Sequence, residues 1–169
     1  LDIDEKSQNP YNLDYLGQEK NTDNKQKVFI CIADNNIREK IYTNYNNLDF
    51  NINLIHPKSI ISRTADIGFQ TLICAGVIIN SQVKIGNGCI INTGSVVEHD
   101  CILGGFSHVA PGAVLCGNVE IGNGSFIGAN SVIKQGVKIG HNVTVGAGAV
   151  VINDVLDNTI VAGNPSKTL

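Results

Sequence analysis

From Ile55 to Val151 every sixth residue is aliphatic, seventeen times in succession without a break in register. Ile55, Ile61, Ile67 and Ile73 open the series, and Ile133, Ile139, Val145 and Val151 close it. Four residues after each member stands a small or β-branched side chain, among them Ser59, Ala65, Cys89, Cys101, Ala113, Ser131 and Ala149. One step earlier, Gly, Asn or Asp fills twelve of the seventeen places, including Gly88, Gly94, Asp100, Gly112, Asn118, Gly124 and Asn142. These residue types tolerate positive φ, so they mark a repeated corner. A unit with an aliphatic strand centre, a tight corner and a small corner residue is one short flat face of a parallel β-helix. Three faces close a coil of 18 residues, so the 102 residues from 55 to 156 make a little under six coils, roughly 27 Å tall at about 4.8 Å between stacked strands.

Composition narrows the function classes. The 169 residues carry a formal charge of −3 and no run of Lys or Arg, so the chain lacks the electrostatic footprint of a nucleic-acid or anionic-membrane binder. The apolar stretch 72–79 is too short to span a bilayer. The chain therefore reads as soluble and cytoplasmic. Leu1 to Glu5 is acidic, unlike a signal peptide, and the absence of an initiator Met predicts a further upstream segment. The five cysteines form no Cys-x-x-Cys pair, and Cys89 and Cys101 occupy the small inward position, which predicts packing rather than redox roles.

Residues 1–54 lack the hexad pattern. Polar residues dominate 17–27, Lys27 to Ala33 reads as a buried strand, and Asp34-Asn35-Asn36 reads as a helix start, with Asn36 and Glu39 spaced as a capping box. Ile37, Ile41, Tyr45 and Leu48 recur near helical spacing, and Asn51 to Ile55 reads as a second strand. Strand, helix, strand is a βαβ fragment, a partial Rossmann-like α/β domain without a Gly-rich phosphate loop. The His56-Pro57 step ends it, with His56 as a structural residue at the junction. The expected organisation is thus an α/β domain over 1–54, a β-helix over 55–156 and a tail over 157–169.

The only dense titratable cluster in the repeats is Glu98-His99-Asp100-Cys101, followed nine residues later by His108. An imidazole titrates near neutral pH and takes a proton from an attacking hydroxyl or amine when a carboxylate fixes its tautomer. His99 with Asp100 or Glu98 could form such a pair, although Asp100 also occupies a place where Gly, Asn and Asp recur as corner residues. Nine residues is half a coil, so His108 projects from a different wall and need not meet His99 within one chain. Prisms packed side by side around a threefold axis would let the two line one cleft. Alone, an outward His108 or His141 reads as a solvated surface residue. Successive histidines are 43, 9 and 33 residues apart, which offers no close pair for a zinc ion, so no metal is expected.

The hexapeptide run, the phrase Ile91-Asn-Thr-Gly-Ser-Val-Val-Glu-His-Asp-Cys101, the segment Phe106-Ser-His-Val109 and the closing Val161-Ala-Gly-Asn-Pro165 together resemble the bacterial sugar acetyltransferases. These are hexapeptide-repeat enzymes that make acetamido sugars and acetylated sialic acids. The resemblance implies a mainly β fold built on a left-handed β-helix, a homotrimer, and acetyl-CoA as co-substrate in the cleft between neighbouring prisms. It assigns His99 as general base and Asp100 as the acid that raises its basicity. His108, Gly117, Ala129 and Ala147 match cofactor-binding positions, Gly117 through a backbone N–H facing the thioester carbonyl. Asp2, Ala33 and Asn92 match substrate-binding positions, Ala33 standing where relatives have Gly. The implied reaction is acetyl transfer to a sugar, foremost the 4-amino group of a nucleotide-linked sugar in surface glycan biosynthesis, with sialic acid O-acetylation as the alternative. A noncatalytic β-helix scaffold or sugar-binding protein is the rival from another class. Cys101 and Cys116 flank the site, but direct transfer needs no acyl-cysteine.

Overall fold

The computed structural model describes residues 27–45 and 48–169. Eighteen-residue stacking is its organising rule: Leu54 pairs with Leu72, Ile60 with Ile78 and Asp66 with Lys84, each in parallel register. Apart from Ile160–Ala162 the strands are two residues long, because each face must end before the next corner. They form three parallel sheets. The first face stacks seven strands from Leu54–Ile55 through Ile90–Ile91, His108–Val109 and Phe126–Ile127 up to Ile160–Ala162. The second runs from Ile60–Ile61 to Val150–Val151, and the third from Asp66–Ile67 to Lys138–Ile139. The fold is a β-solenoid of about six coils.

From Thr71 onward both inward series are buried as the hexads predict, whereas in the first coil Ile55 is exposed and Ile61 and Ile67 are half-buried. Ile73, Ile91, Val109, Ile127 and Val145 form one column of the core, and Cys89, Cys101, Ala113 and Ala149 fill the small positions. The corner repeats as well: φ lies between 52° and 74° at every sixth residue from Gln70 to Gly148, including Gln70, Gln82 and Phe106, which are not Gly, Asn or Asp. The solenoid's geometry imposes the left-handed conformation even where the side chain disfavours it. The last coil closes later than the hexads do, since Ile160–Ala162 stacks on the strand Thr144–Val145 and Lys167–Thr168 adds an antiparallel edge.

The N-terminal unit differs from its sequence reading in four ways. Among the described residues Lys27 to Ala33 pairs only through a parallel bridge from Lys27 to Asp49, and the side chain of Gln70 takes two of its backbone groups: Ile30 N–H donates to Oε1 at 3.0 Å and Nε2 donates to Val28 O at 2.7 Å. The helix Asn35–Asn44 is capped by Asp34, whose carboxylate accepts from Ile37 N–H at 2.9 Å, and not by an Asn36/Glu39 box. Ile37 faces solvent while Arg38 is the buried helical residue. Of Asn51 to Ile55 only Leu54–Ile55 is strand, and it belongs to the first face of the solenoid.

Arg38 binds this unit to the solenoid. Its guanidinium is 1 % exposed and donates to Gly88 O (2.6 Å), Phe106 O (3.0 Å), Ile32 O (2.9 Å), Ala33 O (3.0 Å) and Asn35 Oδ1 (2.8 Å). Two of these carbonyls belong to corners of successive coils. Asn35 Nδ2 donates to a third, Gly124 O, at 2.9 Å. Tyr42 stacks on Phe50 and meets Phe106 edge-on.

Candidate active site

Val97 ends a strand of the second face, and the chain turns at Asp100, where φ is 61°. This turn throws His99 and Asp100 outward, roughly half exposed, with His99 Nδ1 2.8 Å from Asp100 Oδ2. Glu98 is not the partner, because its Oε2 accepts from Asn80 Nδ2 at 2.8 Å, one coil below. A carboxylate accepts only, so Nδ1 carries the proton and Nε2 is left as the basic nitrogen. Gly117 lies one coil above, eighteen residues on. A Cβ added there would stand 2.6 Å from both Cε1 and Nε2 of His99, so glycine alone leaves room for the ring. Sequence reasoning placed Gly117 near the thioester; the structure adds that it forms the floor on which the imidazole lies.

His108 is on the first face, between Ile90 and Phe126 in strand register, a different wall from His99. It is not the solvated surface histidine of the plain sequence reading: it is 7 % exposed because the Ala33–Asn35 segment covers it. Burial, and secondly the positive charge of Arg38, lower its pKa, while the carbonyl of Ala33 favours the charged ring without reaching hydrogen-bonding geometry with Nδ1. Nε2 lies 3.2 Å from Asn92 Nδ2, and Phe126 stands edge-on with centroids 5.1 Å apart. An open cleft of about 750 Å³ lies above, lined by Ala33, Asp34, Asn35, Phe126, Asn142 and Thr144 among others. Arg38 and Asn35 carried no signal of this role in the sequence, because their partners in the solenoid lie 50 to 90 residues away.

Ala129 and Ala147 are one coil apart at the corner between the first and second faces, joined by Gly148 N–H to Ala129 O at 2.8 Å. Ala33 and Asn92 both border the His108 region, and Asp2 lies outside the described residues. One chain thus brings together His99, Asp100 and Gly117 at one corner, and Ala33, Asn92 and His108 on another face. It does not bring the two groups together. Among the described residues, no helix is long and apolar enough to cross a membrane, and no group of three or more His, Cys, Asp or Glu is placed to hold a metal ion.

Comparison with known proteins bears on this arrangement. The family described as bacterial transferase hexapeptide (six repeats) matches residues 100–135 and 118–153. The acetyltransferase domain of PglB from Neisseria gonorrhoeae, solved in complex with acetyl coenzyme A, is 36% identical, with 89% of this chain and 74% of that chain covered at a TM-score of 0.86. PerB from Caulobacter crescentus, solved with CoA and GDP-perosamine, is 38% identical, with 85% and 70% covered at 0.83. WeeI from Acinetobacter baumannii is 33% identical, with 85% and 70% covered at 0.81.

Proposed function

The chain belongs to the bacterial hexapeptide-repeat transferases, as an acetyl-CoA-dependent sugar acetyltransferase, and from that membership we propose that it acetylates the amino group of a nucleotide-linked sugar through His99. The observation that carries this reading is the His99 ring, tied at Nδ1 to Asp100 and laid against Gly117 with Nε2 free to act. Nε2 takes a proton from the acceptor amine as its nitrogen attacks the thioester carbonyl carbon. The Gly117 N–H steadies the developing oxyanion. The C–S bond then breaks, and the CoA thiolate leaves with the proton that the imidazolium returns. Asp100 stabilises that imidazolium throughout.

Acetyl-CoA lies along Ala129 and Ala147, where small side chains let the pantetheine arm approach the backbone, and it reaches His108. Asn92, Ala33 and Asp2 face the acceptor. Because His99 and His108 are on separate walls, the complete site forms between copies of the chain, as a homotrimer. The second face supports this: its outward positions are Ile60, Ile78, Val96, Val114, Val132 and Val150, an unbroken aliphatic stripe, whereas the third face presents Asp66, Lys84, Glu120 and Lys138 around a single Ile102. A cytoplasmic location suits both co-substrates.

Thiol release from acetyl-CoA, followed with nucleotide-linked amino sugars and with sialic acids, tests the reading. The expected result is an N-acetylated nucleotide sugar. Turnover of sialic acids alone would replace it with O-acetylation, and release with neither would leave a noncatalytic scaffold.

A further inference from the structure

Among the described residues, His108 is the histidine whose Nδ1 is buried without a hydrogen-bond partner, while its Nε2 faces the Asn92 side chain. Which nitrogen holds the proton depends on which end of the Asn92 amide points at the ring, and a backbone group fixes that. Thr93 N–H is an obligate donor, and it donates to Asn92 Oδ1 at 2.8 Å. The oxygen is therefore committed to the backbone, and Nδ2 is the end that meets the ring. An amide NH₂ only donates, so Nε2 accepts and must be bare. The proton of the neutral ring then sits on Nδ1, the tautomer that free histidine disfavours.

We propose that Asn92 is a positioning residue that locks His108 as the Nδ1–H tautomer, so that the ring beside Ala33 and Asn35 can donate but cannot act as a base. Its surroundings keep it in that form. Arg38, from the helix, opposes a second proton, and Asp34 is the carboxylate that borders the same cleft. The two histidines thereby take opposite roles. His99 offers a free lone pair at Nε2, whereas His108 has its only lone pair occupied by Asn92 and can serve as a donor but not as a base. The tautomer stands apart from the transfer reaction.

Long-range proton–nitrogen correlation spectra of the ¹⁵N-histidine-labelled full chain read the tautomer directly, with His108→Gln identifying the signal among four histidines. The expected wild-type pattern is a protonated Nδ1 and a bare Nε2 at neutral pH. Asn92→Ala should return the ring to mainly Nε2–H, and Asn92→Asp, whose carboxylate accepts, should place a proton on Nε2. Unchanged signals from the other histidines show that each variant is folded. A wild-type Nε2–H ring, or an Nδ1–H ring that survives both substitutions, would overturn the lock. Because these readouts need no turnover, a failed lock and a failed transferase assignment remain distinguishable.

Discussion

A half-exposed hydrogen bond such as that from His99 to Asp100 contributes about 1 kcal/mol or less to stability, so its 2.8 Å contact matters for what it does to the imidazole. His99→Ala should keep the melting temperature and lower turnover by about 10²–10⁴-fold, the usual cost of losing a general base. Asp100→Asn should lose less, since the ring remains. Gly117→Ala separates position from chemistry. It leaves His99 in the sequence but drives its ring off the floor, and a steady-state assay should show kcat falling while the far-ultraviolet spectrum is unchanged. Wild-type kcat in Gly117→Ala would mean that the ring need not lie there. His108 affects stability through linkage. Its pKa in the folded chain lies below 6.5, so as pH falls through 6.5 the unfolded chain binds a proton that the folded chain does not. Stability should therefore drop from pH 6.5 downward and level off below the folded value. Urea titrations of wild type and His108→Gln across that range should show the steeper loss in wild type. At this scale the sequence disclosed His99 and Asp100, because adjacent residues on one corner must share an environment. It could not disclose that His108 is buried, because the cover comes from residues 33–35, more than seventy positions away.

Each hexad repeats the same local instruction, with an aliphatic strand centre, a left-handed corner and a small inward residue. The solenoid was therefore legible down to its 18-residue register, and Gln70, Gln82 and Phe106 adopted the corner despite their side chains. The N-terminal unit obeys a different logic. Its backbone groups are satisfied by Gln70, which in the hexad pattern reads only as an irregular corner, and by a buried arginine that donates to the carbonyls of Ile32 and Ala33. No periodicity reports such contacts. Arg38→Met should leave several of those carbonyls without donors and loosen the unit while sparing the coils, since the solenoid core contains no residue before 61. Hydrogen exchange provides the check: Ile30 N–H should lose protection in Arg38→Met, and the inward strands such as Ile90–Ile91 should retain it. Equal loss in both would mean that the unit and the solenoid unfold together.

For the whole molecule, the decisive property is that one chain presents two half-sites on different walls beside an aliphatic third surface. Val114→Lys places a charge in the middle of the second face and should yield a folded monomer without transferase activity, read by sedimentation and by thiol release. If the halves are completed between copies, His99→Ala and His108→Ala, each nearly inactive, should regain part of the activity when unfolded together and reassembled, because some interfaces then hold both histidines. No recovery in verified mixed assemblies would place the whole reaction on one chain.

The stacking register also makes the solenoid a ruler. Every residue from 54 to 151 rests on the one 18 positions away, so deleting a single residue from a wall would turn outward side chains into the inward columns of the coil it belongs to. Length can change only in whole storeys, each about 4.8 Å high. An enzyme built this way can adapt to a longer or shorter co-substrate in steps, by gaining or losing a coil between Gly117 and Ala147, and its history of length variation should be quantised accordingly.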